Sequence, residues 1–307
     1  MKSKCKRLQN QDNVTATTHS NRRILRVQTM QKNHPFAPFG PATSRQLLAK
    51  CFKINTMLTE LAISGTVAGL TAGGCAYAAM WPTSQIFGHT IVAGREPSRL
   101  ALTFDDGPND PWTHQLLDIL AENNVRATFF LIGRFVQQRP DLARAIWTAG
   151  HLIGNHTMTH PMLLFVSPSR VRQEIESCNR VLEDTLGQPV RYFRPPHGAR
   201  RPDVLATAHQ LGLTTVMWNA MGHDWDATTP ESIQKRVGRA VVTNQSRGRS
   251  SNILLHDGGP SHIGVDRSCT VTATERMIRR FRSQAARFVT PEAWHPPLHD
   301  GAGMHSR

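Results

Sequence analysis

The sequence predicts an α/β fold: a distorted (β/α) barrel of about seven parallel strands, preceded by a transmembrane or signal segment. Three observations predict it. Beyond residue 98, short apolar runs alternate with amphipathic helical stretches, the pattern of βαβ units and a mainly parallel sheet. Asp105, Asp106, His156, Arg194, Trp218 and His256 all fall at the carboxyl ends of the expected strands. A barrel gathers those ends at one mouth, whereas an open doubly wound sheet spreads them along one edge, so the barrel is favoured. Ahead of this region, Leu61 to Trp81 runs 21 residues without a charge. At ~1.5 Å rise per residue it is long enough to cross a bilayer.

The elements follow in order. Residues 1–53 hold eleven Lys/Arg against a single acid, Asp12, while the rest of the chain carries only +4 of the formal +14. The basicity therefore belongs to a tail rich in Asn, Gln, Thr and Pro, which reads as disordered. A nucleic-acid partner is not expected, because an export-type segment follows directly. The cationic excess before residues 61–81 places the tail in the cytoplasm and everything after Trp81 outside the membrane. Residues 54–81 read as an anchor or a signal segment. Ala76-Tyr77-Ala78 fits a small-x-small cleavage site, with an internal start such as Met30 shortening the lead. Gly65, Gly69 and Gly73, four apart, would instead pack a retained helix. A basic lead of 53 residues is long for a signal, which favours a cell-membrane anchor over secretion after cleavage near Ala78.

Residues 82–97 form a linker, 98–291 the folded domain and 292–307 a flexible tail. Strands are expected at 99–105, 126–132, 151–155, 190–194, 213–218, 252–256 and 287–290. The first helix takes Asp110 as its cap and Pro111 as its first residue. The next runs from Pro140 to Gly150. A third starts at Ser167-Pro168 and ends at Gly187, with Val171, Ile175, Cys178 and Leu182 inward. Others cover Pro202 to Gly212, start at Thr229-Pro230, and span 266–284. Of the five cysteines, only Cys178 and Cys269 lie in the folded part, and there is no CxxC. Cys178 sits on an apolar stripe, which fits a free buried thiol.

Two adjacent carboxylates at the end of an apolar strand, Asp105 and Asp106 in "LALTFDDGPND", are costly to bury without a cation. His156 and His160 in "GNHTMTH" have the spacing that places two rings on one face of a helical turn. Two imidazoles and one carboxylate form a three-ligand set with open positions, suited to a catalytic zinc. "HPPLH" at 295–299 repeats the spacing in a Pro-rich tail and reads as noise. The second carboxylate would stay ionised and could accept a proton from the attacking water. Arg194 could pair with it and hold it in place. His256, leaving a very apolar strand, suits a general acid, oriented by Asp224 or Asp257.

"TFDDGP", "HTMTH", "RPPHG", Asp224-Trp225 and "LLHD" stand in the order and approximate spacing of the polysaccharide deacetylase family, carbohydrate esterase family four, which the chain resembles over roughly residues 98–291. The resemblance implies a distorted barrel. It implies that Asp105 is the general base and that Asp106, His156 and His160 hold a divalent metal, usually zinc. Arg194 would orient the base and His256 would be the general acid, tuned by Asp224. Pro196 and His197 would bind substrate, and Trp225 and Leu255 would line the pocket for the acetyl methyl. Two positions depart from the family pattern. Met221 stands where an Asp is common, leaving Asp224 to tune His256 alone, and Pro196-His197 replaces Pro-Tyr.

The expected activity is removal of N-acetyl groups from an N-acetylglucosamine polysaccharide, peptidoglycan or a chitin-like glycan, with release of acetate. The alternative is a catalytically weak glycan-binding protein of the same fold. Nucleic-acid binding through the basic tail is the third reading and the least favoured.

Overall fold

The computed structural model describes residues 41–294. The expectations for residues 1–40, including Cys5, and for 295–307 fall outside them. The chain divides into two units, Met1–Ala62 and Ile63–Arg307. Among the described residues the first holds only the beginning of helix α1 (Pro41–Met80). The helix therefore starts within the stretch expected as irregular tail, and 41–53 are helical. Its apolar side chains are uncovered, with Leu61 and Leu70 more than two-thirds exposed. By length and composition it is long enough to cross a membrane.

The second unit is built on one parallel sheet. Its strands are β1 (Arg99–Gly107), β2 (Thr128–Leu131), β3 (Leu152–Asn155), β4 (Tyr192–Phe193), β5 (Thr214–Thr215), β6 (Ala220–Met221), β7 (Ser251–His256) and β8 (Arg287–Phe288). Seven run in the order β5-β4-β3-β2-β1-β7-β6, and β8 joins the start of β1. The outer strands β5 and β6 do not pair with each other among the described residues, so the sheet curls into a half-barrel open between them. β6 was not expected from the sequence. Residues 213–218 keep only two residues in regular pairing, because the chain bends there to continue into β6.

Around the sheet pack α2 (Trp112–Glu122), α3 (Gly133–Gln138), α4 (Pro140–Thr148), α5 (Pro168–Leu186), α6 (Pro202–Gln210), α7 (Pro230–Ser246) and α8 (Ser268–Ser283). α5 and α7 begin as their sequences require. The Ser167 hydroxyl accepts from Arg170 N, the Thr229 hydroxyl accepts from Ser232 N, and proline fills the first turn of each. α5 ends at Gly187 with φ 65°, a left-handed cap that suits glycine. Asp110 does not cap α2. Its carboxylate pairs with Arg139, and Pro111 occupies the cap position without a side-chain bond.

The main core lies between the sheet and the helices. Phe104 and Phe129 stack within it at 5.1 Å, and Val171, Ile175, Cys178 and Leu182 of α5 close one side. Cys178 is buried and unpaired, and burial pushes its thiol up to about 12.

Candidate active site

The parallel register brings the functional residues together. Asp105 on β1 lies beside His256 on β7. On the other side, Asn155 at the end of β3 pairs with Phe193 of β4, so that His156 and Arg194 emerge side by side. The register of β1 shifts between Asp105 and Gly107, and Asp106 falls in that irregularity with φ 72°. Successive strand residues face opposite ways, and the bulge breaks this alternation, so both carboxylates line one cleft.

Asp105 is 3% exposed and its Oδ1 accepts from Arg194 Nη1 at 2.8 Å. The guanidinium is fully buried, donating also to the Thr103 hydroxyl and to the carbonyls of Val216 and Met217. It lies over the Phe130 ring at 4.1 Å. Burial lowers the Arg194 pKa, and the charge of Asp105 opposes that shift. These contacts fix the guanidinium, which through its bond to Oδ1 orients the Asp105 carboxylate.

Asp106, His156 and His160 form a second cluster, with one donor atom from each lying within 4.8 Å of the others. The Asp106 Oδ1 atom is buried without a formal hydrogen bond and lies 3.1 Å from His160 Nε2 and 3.4 Å from His156 Nε2. His156 Nδ1 lies 2.7 Å from the Arg194 carbonyl, which can only accept, so Nδ1 carries the proton and the Nε2 lone pair faces the cluster. Two imidazoles and a carboxylate around an orphaned oxygen fit a divalent cation. Burial works against ionisation of Asp106, but the imidazoles of His156 and His160 drawn up around it, with the charge of His256 beyond, outweigh burial and hold the carboxyl well below its ordinary range.

The His156–His160 segment is not a helical turn, as the spacing predicts. Thr157 and His160 have φ of 68° and 63°, so a loop with two left-handed residues brings the rings together. Residues that carried no signal in the sequence pin this loop. Asn155 Oδ1 accepts from Thr157 N, and buried Glu174 accepts from both the backbone N and the hydroxyl of Thr159. His197, also left-handed at φ 58°, sets its ring 4.7 Å from that of His160.

At the β7 side, Asp224 bonds both the backbone N of His256 (2.7 Å) and its Nδ1 (2.8 Å), while Thr270 donates to the same carboxylate. Of the two carboxylates the sequence left open, Asp224 orients the ring. Asp257 turns the other way and accepts from the Thr113 hydroxyl. Burial opposes a charge on His256, yet the Asp224 carboxylate, with Asp106 and Asp105 beyond it, raises it to about 9. Trp225 meets its ring edge-on at 5.1 Å.

The cleft that holds these groups has a volume of about 540 Å³. Met221, in place of the expected Asp, forms part of its wall, as do Trp218 and Leu254. Two expected lining residues do not. Leu255 is buried in the main core, and its neighbour Leu254 faces the cleft instead, since alternate strand residues face opposite sides. Pro196 is buried in the turn that presents His197 and does not line the cleft.

Comparison with known proteins matches residues 93–216 to the polysaccharide deacetylase family model. A chitooligosaccharide deacetylase of Bradyrhizobium sp. (strain ANU 289) is 38% identical over 180 residues, covering 58% of this chain and 78% of that protein. The crystal structure of a peptidoglycan N-acetylglucosamine deacetylase bound to a substituted N-oxidanyl-benzamide superposes with TM-score 0.60 and 31% identity, over 67% of this chain and 91% of that one. A pseudoenzyme of the same carbohydrate esterase family from Bacillus anthracis superposes with TM-score 0.57 and 28% identity, over 67% of this chain and 66% of that one. A curled parallel half-barrel, five sequence motifs converging on one cleft and relatives matched over most of their length lead to one assignment: the chain belongs to the polysaccharide deacetylase family, carbohydrate esterase family four.

Proposed function

We propose that residues 98–291 hydrolyse N-acetyl groups of an N-acetylglucosamine polysaccharide, peptidoglycan or a chitin-like glycan, releasing acetate and leaving a free amine. The observation that carries this reading is the convergence of three pairs or sets in one cleft: Asp105 with Arg194, Asp106 with His156 and His160, and His256 with Asp224. Zinc is the metal we assign, because two imidazole nitrogens and one carboxylate oxygen suit it. Bound by Asp106, His156 and His160, it would supply Lewis acidity, polarising the amide carbonyl and lowering the pKa of water.

Asp105 takes the proton from the attacking water, and Arg194 keeps its carboxylate aimed. As the carbonyl carbon gains oxygen, its bond to nitrogen weakens. His256, its ring held by Asp224, protonates that nitrogen so that it departs as an amine rather than an amide anion. Trp225 and Leu254 bound the space beside His256 that a small acyl group would occupy. The competing reading, a glycan-binding protein without turnover, has Met221 in place of the family's common Asp as its hint; against it stands the gathering of Asp105, Asp106, His156, His160 and His256 on one cleft. Mass spectrometry of N-acetylglucosamine oligomers incubated with the protein separates the two. Deacetylation yields products that have lost acetyl groups, and unchanged oligomers that nonetheless bind would favour the alternative.

We further propose that α1 is a retained anchor, with the amino terminus in the cytoplasm and the half-barrel outside. The uncovered apolar face of the helix and the eleven Lys/Arg before Leu61 support this arrangement. Full-length protein in the carbonate-resistant membrane fraction is the expected outcome. A soluble species beginning near Ala79 would overturn it.

A further inference from the structure

The wall of the cleft is not made by the family domain alone. Met80, Trp81 and Pro82, which precede the matched residues 93–216, line the same cleft as Asp105, His156 and His256. A fixed attachment holds them there. The backbone N of Arg200 donates to the Ala79 carbonyl at 3.0 Å. Its guanidinium, 1% exposed, donates to the carbonyls of Trp81 (2.6 Å), Ser84 (2.9 Å) and Gly198 (2.9 Å). These partners are all backbone carbonyls, so this arginine serves as a clamp rather than as half of an ion pair. A cation at a helix carboxyl terminus also complements the helix dipole. The clamp joins the end of α1 to the turn that presents His197. Ala78 and Ala79 are buried in the joint.

Trp81 is 56% exposed although its backbone is held, and its ring stacks on Tyr77 at 5.9 Å. A second cleft tryptophan, Trp225, is 48% exposed beside His256. Two half-exposed indoles flank the carboxylates and imidazoles of the cleft and offer flat apolar faces that are open on one side. The faces of pyranose rings in a β-linked amino sugar present C–H groups that match such a surface. We propose that Trp81 is a sugar-stacking residue that holds a ring next to the one being deacetylated, and that Arg200 is its positioning residue. This deepens the deacetylase reading and rests on it for the identity of the glycan. The specificity that follows is for oligomers over a single sugar, because a lone N-acetylglucosamine at the metal cluster leaves Trp81 unused. A tryptophan at the end of an apolar helix also suits a bilayer interface, and that role predicts no effect on glycan affinity.

The test uses full-length protein in detergent micelles carrying Asp105→Asn to prevent turnover, and measures affinity for N-acetylglucosamine and its tetramer by calorimetry. Trp81→Ala is expected to weaken tetramer binding roughly five- to tenfold, the size of a lost aromatic stacking contact, and to leave monomer binding unchanged. Trp81→Tyr should recover most of the loss. Tetramer affinity within twofold of the parent in Trp81→Ala, or an equal loss for monomer and tetramer, would overturn the proposal. Acetate release by the wild-type protein is measured separately. Binding that depends on Trp81 without any acetate release would refute the deacetylase reading while keeping the sugar site. If no variant, the parent included, binds the tetramer, the stacking proposal is refuted, and acetate release by the wild-type protein alone decides the deacetylase reading.

Discussion

Arg194 and Asp105 form a buried pair whose halves depend on each other. Removing one partner of such a pair costs about 3–5 kcal/mol, because the charge left behind stays buried without compensation. Arg194→Met should therefore lower the midpoint of thermal unfolding markedly. Asp105→Asn removes the proposed base while keeping the side chain's shape, and it too should lower the unfolding midpoint, because Arg194 is left buried without its counter-charge. A fall of roughly 100- to 10,000-fold in kcat/KM is expected, with bound zinc unchanged by metal analysis. Asp106→Asn should reverse this signature by losing the zinc itself. His256 predicts a limb in the pH profile. The ring acts as an acid only when protonated, so the rate holds below its pKa and falls as pH rises through it. Its pKa is raised to about 9, and part of that rise comes from Asp106 and Asp105, which a bound cation would offset. The limb in the zinc-loaded enzyme thus lies between the ordinary histidine range and about 9. Asp224→Asn should move it to lower pH, and an unmoved limb would remove His256 from the role of acid.

The His156–His160 loop is held at element scale by α5 through Glu174, which bonds Thr159 twice. Glu174→Ala should cost about 1–3 kcal/mol for the unsatisfied groups it leaves. It should also weaken zinc binding about 10- to 100-fold, since ligand orientation is lost while every ligand remains. A zinc-competition assay reads the second effect. Gly107 is tested in the same way: a Cβ there would lie 2.2 Å from Asp257 Oδ2 in the bulge that turns Asp106. Gly107→Ala should therefore reduce both stability and zinc affinity. These supports were not legible in the sequence, because Glu174 looks like one more acid on a helix until the loop's left-handed residues aim Thr159 at it. The Asp106, His156 and His160 cluster was legible, since two adjacent carboxylates after an apolar strand call for a cation. The strand Ser251–His256 was legible as a strand but not as two faces. An apolar run buried on both sides carries no alternation, so nothing in it distinguishes Leu254 from Leu255, the residue the family resemblance implies. The two-residue strands β4 to β6 are set by pairing partners rather than by local pattern, which is why β6 left no signal.

Over the whole molecule, charge and apolarity are separated along the chain. Most of the +14 lies before Leu61, the uncharged part of α1 follows, and the nearly balanced half-barrel comes last. This order is the basis for placing the cleft on the outer side of a membrane, where a polymeric glycan is accessible. The half-barrel itself was legible from the alternation of strands and helices, and its opening between β5 and β6 was not, because closure depends on edges far apart in sequence. The most direct test of the central claim is acetate release from an N-acetylglucosamine tetramer by full-length protein, before and after metal removal and after zinc is restored. The account predicts activity that disappears with the metal, returns with zinc, and stays absent in zinc-loaded Asp105→Asn. Acetate release that survives complete metal removal, or that proceeds undiminished in Asp105→Asn, would contradict it.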